Sequence, residues 1–117
     1  MTQQSNIRGK AIQAGYEWRL RVIVKGVGTF APDATFVCQF RRTPDDEVVQ
    51  AEISTTDDTI RRINHETIEL VLPGADSADW TFDKAFLDVV RTDLGALQHL
   101  GFRLTVPVRR AITRGIA

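Results

Sequence analysis

YEWRLRVIVK, residues 16–25, decides the fold class. On an extended chain Tyr16, Trp18, Leu20, Val22 and Val24 fall on one side, while Glu17, Arg19, Arg21 and Lys25 fall on the other, interrupted only by Ile23. A helix would scatter these residues round its circumference. A half-buried strand sorts them.

The same two-residue period recurs along the chain. TFVCQFRR (35–42) turns Phe36, Cys38 and Phe40 inward, VVQAEIS (48–54) turns Val49, Ala51 and Ile53, and TIELVL (67–72) turns Ile68, Leu70 and Leu72. LGFRLTVPV (100–108) repeats the pattern with Leu100, Phe102, Leu104, Val106 and Val108. No window of ten or more residues carries an i, i+3, i+4, i+7 apolar stripe.

Turn residues separate these runs. They are Gly26-Val27-Gly28 with Ala31-Pro32-Asp33, then Thr43-Pro44-Asp45-Asp46, and then Ile63-Asn64-His65-Glu66, where Asn64 tolerates positive φ. PGADSADW is the one candidate helical turn, a short 3-10 turn near residues 75–79 with Ser77 and the Asp residues as caps. The expectation is an all-β fold, an antiparallel sandwich of about seven strands. Its parts are an N-terminal arm or first edge strand (1–15), the sandwich domain (16–108) and a basic C-terminal tail (109–117). Pro107 lacks an amide donor and predicts that the last strand is at a sheet edge or leaving the sheet there.

At 117 residues, 43% hydrophobic and 26% charged, the chain suits one domain with its own core. Cys38 is the only cysteine and excludes an intrachain disulfide. No stretch approaches the roughly 20 apolar residues of a membrane span, and MTQQSNIRGK lacks the apolar centre of a signal peptide, so no membrane partner is expected. Fifteen bases balance fifteen acids, which argues against nucleic acid as the main partner.

The charges are banded. Residues 1–42 are mostly basic, residues 43–93 hold thirteen acids, and the end is basic again. Such bands suit copies or neighbours that pair electrostatically, or they mix in three dimensions into an ordinary solvated surface.

Catalytic chemistry is sparse. His65 and His99 have no His or Cys at metal-ligand spacing and read as turn or edge imidazoles, so no metal and no cofactor is assigned. Cys38 alternates with Phe36 and Phe40 and reads as core. Asp45-Asp46-Glu47 and Asp57-Asp58 lack the calcium-loop pattern, and Gly26-Val27-Gly28 is a turn rather than a phosphate loop. No catalytic residue is assigned, and an enzyme is not expected.

The stretch WTFDKAFLDVVRTDLGALQHLGFRLTVPVRRAITR (80–114) resembles the C-terminal half of small tailed-phage and prophage virion proteins with an immunoglobulin-like β-sandwich, similar to the N-terminal domain of phage baseplate upper proteins. The resemblance rests on Leu87-Asp88-Val89, the turn from Thr92 to Gly95, Gly101 before Leu104-Thr105-Val106, and the Ile112-Thr113-Arg114 ending; FVCQFRRTPDDEVV adds a matching strand pair. It implies a non-enzymatic structural component of a phage virion, in the tail, baseplate or head-tail connector region. Such a component would work as a homo-oligomer that docks other virion proteins, located in the virion and in the host cytoplasm during assembly. A capsid decoration protein is the nearest variant. A carbohydrate- or cell-surface-binding sandwich module is the alternative from a different class, and exposed aromatics on one face would favour it.

Two positions carry sharper expectations. Asp88 is buried if it shares a face with Phe86 and Val90, and outward if Leu87 and Val89 point inside. The tail holds Arg109, Arg110, Ile112, Arg114 and Ile116, three cations and two apolar anchors beyond the last alternating run. These five are the expected partner-binding residues, suited to an extended segment that adds to a neighbour's sheet edge.

Overall fold

The computed structural model describes residues 5–8, 10–25 and 30–113. Gly26-Val27-Gly28, Arg114 and Ile116 lie outside the described residues. The molecule is mostly β, in two sheets. The strands are β1 (Ser5–Arg8), β2 (Ile12–Ala14), β3 (Trp18–Ile23), β4 (Phe36–Arg41), β5 (Ala51–Ser54), β6 (Ile60–Arg62), β7 (Thr67–Leu72), β8 (Lys84–Arg91) and β9 (Gln98–Arg110). One helical turn, α1 (Gly74–Ser77), lies between β7 and β8. The larger sheet runs β1-β9-β8-β4-β5, with β2 also on β9, and the smaller runs β3-β7-β6.

The two sheets share one core. Phe36, Cys38 and Phe40 from β4, Leu87 and Val89 from β8, and Leu100, Phe102, Leu104 and Val106 from β9 face Trp18, Ile60, Ile68, Leu70 and Leu72. The rings of Trp18 and Phe40 meet edge to face at 5.9 Å between the sheets, and Trp80 joins Phe40 at 6.0 Å. At the other end Phe30 packs on Phe36 at 4.9 Å. The indole N–H of Trp18 donates to the Lys10 carbonyl at 2.9 Å, so the buried polar atom has its partner.

Several sequence expectations need correction. In the stretch expected as an arm or first edge strand, residues 5–8 and 12–14 form two short strands. β1 and β2 pair in parallel with β9, Ser5 to Arg8 opposite Phe102 to Thr105 and Ile12 to Ala14 opposite Val108 to Arg110. β9 is therefore interior to its sheet and not at an edge. The Val108 amide donates to the Asp83 carbonyl at 2.8 Å, so Val106 and Val108 aim their amides towards β8 and the Pro107 nitrogen faces the arm. There Lys10 and Ala11 lie outside both strands of the arm, so the proline falls between the two ladders.

Tyr16 is exposed and precedes β3 instead of joining its inward face. Val49 is exposed as well: the Asp46 carboxylate accepts the Val48 amide at 3.0 Å, which curls the chain so that pairing begins only at Ala51. Asn64 does not take positive φ. Its side chain accepts the Glu66 amide at 3.0 Å, and Asp58, at φ 59, is the left-handed non-glycine residue among those described.

The helical turn is α1, not a 3-10 turn at 75–79, and Ser77 does not cap its start. Ser77 is buried at the other end, where its hydroxyl accepts the Gly15 amide at 3.0 Å and ties the end of the arm to the helix. A Cβ on Gly74 would stand 2.6 Å from the Gly15 carbonyl oxygen, so this close approach requires glycine.

Candidate interaction surface

The C-terminal end of β9 positions the expected partner-binding residues. The ladder continues past Val108, with Arg109 opposite Gln13 and Arg110 opposite Ala14, so two residues read as tail belong to the strand. Their side chains remain exposed. Beyond them the Tyr16 hydroxyl donates to the Thr113 carbonyl, drawing the chain towards the β2 side. Ile112 is 94% exposed. Thus Arg109, Arg110 and Ile112 lie together at one end of the larger sheet, apart from the core.

The charged bands meet within one chain on the outer face of the smaller sheet. Arg19 and Arg21 of β3 reach Glu69 of β7 at 3.4 and 3.2 Å, and Arg19 also binds Glu17 at 2.8 Å. The guanidinium of Arg19 holds the Glu17 carboxyl below its ordinary value. These arginine stems help bury the outward side of β7, where alternation alone predicted exposure. Elsewhere the ion pairs are local: Arg42 with Asp46 at 2.9 Å, Arg61 with Asp58 at 3.3 Å and Arg91 with Asp93 at 2.8 Å.

The outer face of the larger sheet carries a second feature. A shallow cleft of about 130 Å³ is lined by Gln39, Arg41, Pro44, Phe86, Asp88 and Arg103 among others. Leu87 and Val89 take the core side of β8, which places Asp88 outward. Opposite it β9 bulges: Asp88 pairs with Arg103 while Val90 pairs with His99, and Gly101 takes φ +84 in the extra length. The bulge turns the His99 ring so that Nε2 lies 2.9 Å from the Asp88 carboxylate. The Gly101 amide donates to Nδ1 at 2.9 Å, which puts the ring proton on Nε2 and makes it the donor to Asp88. Sequence reading did not link His99 to Asp88; the glycine two residues after His99 was the available signal.

Two further groups bear on the chemistry open to this part of the molecule. Cys38 points into the core from β4, and burial pushes its thiol well above the ordinary value. Among the described residues no group of three or more His, Cys, Asp or Glu is placed to hold a metal ion.

Exposed apolar side chains complete the surface. Val48 and Val49 stand on the β4–β5 connection, at the same end of the sheet as Ile112, while Ile23, Ile63, Leu94 and Leu97 lie at the opposite end. Of these the sequence reading gave a partner-binding role to Ile112 alone. No protein-family model and no curated protein matches the chain.

Proposed function

We propose that this protein is a non-enzymatic structural component of a phage virion, in the tail, baseplate or connector region, working through self-association and docking of neighbouring virion proteins. The observation that carries the reading is the end of β9. A strand held in the sheet delivers Arg109, Arg110 and the exposed Ile112 to the surface with no role in the core. An extended segment can add as a strand to a neighbour's exposed sheet edge through its main chain, with its side chains selecting the partner.

The sheet order supports the immunoglobulin-like part of the reading. In immunoglobulin lettering, with β3 as B and the strands following in order, the smaller sheet is B-E-D and the larger is G-F-C-C′. β1 and β2 lie alongside β9 as a first strand divided in two. Placement of the aromatic residues weighs against the carbohydrate-binding alternative. Trp18, Trp80, Phe30, Phe36, Phe40 and Phe102 are buried, Phe82 and Phe86 are half-buried, and Tyr16 is exposed. A stacking platform for sugar rings needs several on one face.

Truncation after Arg110 tests the proposal, because it keeps both ladder pairs with β2. The expected outcome is an unchanged melting temperature with loss of the oligomer in sedimentation and loss of incorporation into particles. A full-length protein that sediments as a monomer at high concentration in low and high salt removes self-association. Normal assembly of the truncated chain removes the tail.

A further inference from the structure

We infer that the outer edge of β5 is the acceptor for the C-terminal segment of a second copy, so that copies join head to tail through opposite edges of the larger sheet. The inference rests on the reading of that segment as the self-association element, and it names the surface that receives it.

Among the described residues the two sheets have four edges, β5 being closed by Thr59 at Ser54 alone, and charge separates them. Arg8 and Lys10 lie along the arm, Arg19 and Arg21 along β3, and Arg61 and Arg62 along β6. A donor carrying Arg109, Arg110 and Arg114 gains nothing at these three. β5 differs. Residues 43–60 contain six acids, Asp45, Asp46, Glu47, Glu52, Asp57 and Asp58, and no lysine or arginine. Asp46, Glu52 and Asp58 bond Arg42, Gln39 and Arg61 of their own chain, whereas Asp45, Glu47 and Asp57 stand exposed at the two ends of the strand.

Along β5 the free backbone is at Glu52, and the apolar contacts lie just before it. The Thr55 amide donates to the Phe36 carbonyl at 3.1 Å and the Ser54 amide to the Thr59 hydroxyl at 2.9 Å, so by alternation the Ala51 and Ile53 amides face β4, the outward groups of Ser54 are taken by Thr59, and those of Glu52 face the open edge. Exposed Val48 and Val49 precede that edge and match the isoleucines at 112 and 116 of the donor. The chain's own segment is directed elsewhere. The bond from Tyr16 to Thr113 holds it at the β2 side, four strand spacings or roughly 19 Å across the sheet from β5. Donor and acceptor on opposite edges make a heterologous contact, which closes into a ring or runs on as a filament.

Two full-length variants test this, each altered only at exposed side chains: acceptor-blocked Glu47→Lys with Asp57→Lys, and donor-blocked Arg109→Glu with Arg110→Glu. Unchanged circular-dichroism melts establish that both fold; Val48→Ser with Val49→Ser replaces the first if it does not. Each alone should associate at least roughly tenfold more weakly than the unmodified protein. Mixed in equal amounts they should form a one-to-one dimer and nothing larger, since one intact donor meets one intact acceptor. An acceptor-blocked protein that assembles normally while the donor-blocked one fails overturns β5 as the acceptor and leaves the tail reading intact. Normal assembly of both variants, or an unmodified protein that remains monomeric, overturns the tail reading and this inference together.

Discussion

His99 donates from Nε2 to the Asp88 carboxylate at 2.9 Å across a bulge in the β8–β9 ladder. Both side chains are well exposed, at 38% and 42%, so the pair holds the bulge in shape without sealing a buried charge. Asp88→Ala should therefore change the unfolding free energy by less than about 1 kcal/mol, as exposed pairs do. Urea titration of the two proteins checks this. A loss of about 3 kcal/mol would mean that Asp88 satisfies buried donors.

Asp93 sets a pH dependence. The hydrogen bond from Arg91 is the main cause that lowers its carboxyl from 3.8 to about 2, and the Thr35 amide adds to it. A carboxylate lowered in the folded state stabilises the fold above about 3.8, and that contribution disappears as pH falls towards about 2. The melting temperature of Asp93→Asn should lie below that of the unmodified protein at pH 6, and the gap should shrink between pH 4 and pH 2. A gap that stays constant over this range would place the effect elsewhere, for instance in the packing of the Arg91 guanidinium over Phe30 at 5.8 Å.

Cys38 should be inert in the folded protein. It is fully buried, and burial is the first cause of its raised thiol value, with Asp88 and Glu52 adding charge repulsion. Reaction with an aromatic disulfide reagent at pH 8 should be at least roughly a hundredfold slower than in urea, because it waits on opening of the core. Rapid labelling without denaturant would contradict the packing of β4.

Two glycines separate crowding from backbone strain. Gly74→Ala drives a methyl group against the Gly15 carbonyl and should cost about 1 to 3 kcal/mol, since neither backbone segment yields easily. Gly101→Ala meets nothing within 4 Å but must hold φ +84, which should cost about 1 kcal/mol. Gly101→Asn, which tolerates that region, should recover part of the second loss. Equal effects at the two sites in thermal melts would remove the distinction.

Alternation in residues 16–25, 35–42 and 100–108 was enough to determine strands and most of the core, because burying one face of an extended chain needs only a two-residue period. The same pattern left Asp88 undecided, since apolar residues stand on both sides of β8; only packing of Leu87 and Val89 against the other sheet selected its direction. The arm was beyond reach for a different reason. Pairing of residues 5–14 with β9 joins positions almost a hundred residues apart, and local composition carries no record of such a partner. That distant pairing moved Pro107 from a presumed edge to the sheet interior and drew Arg109 and Arg110 into the strand. The charge bands were plain in the sequence, but which arginine meets which acid is a property of strand order and exists only in the folded molecule.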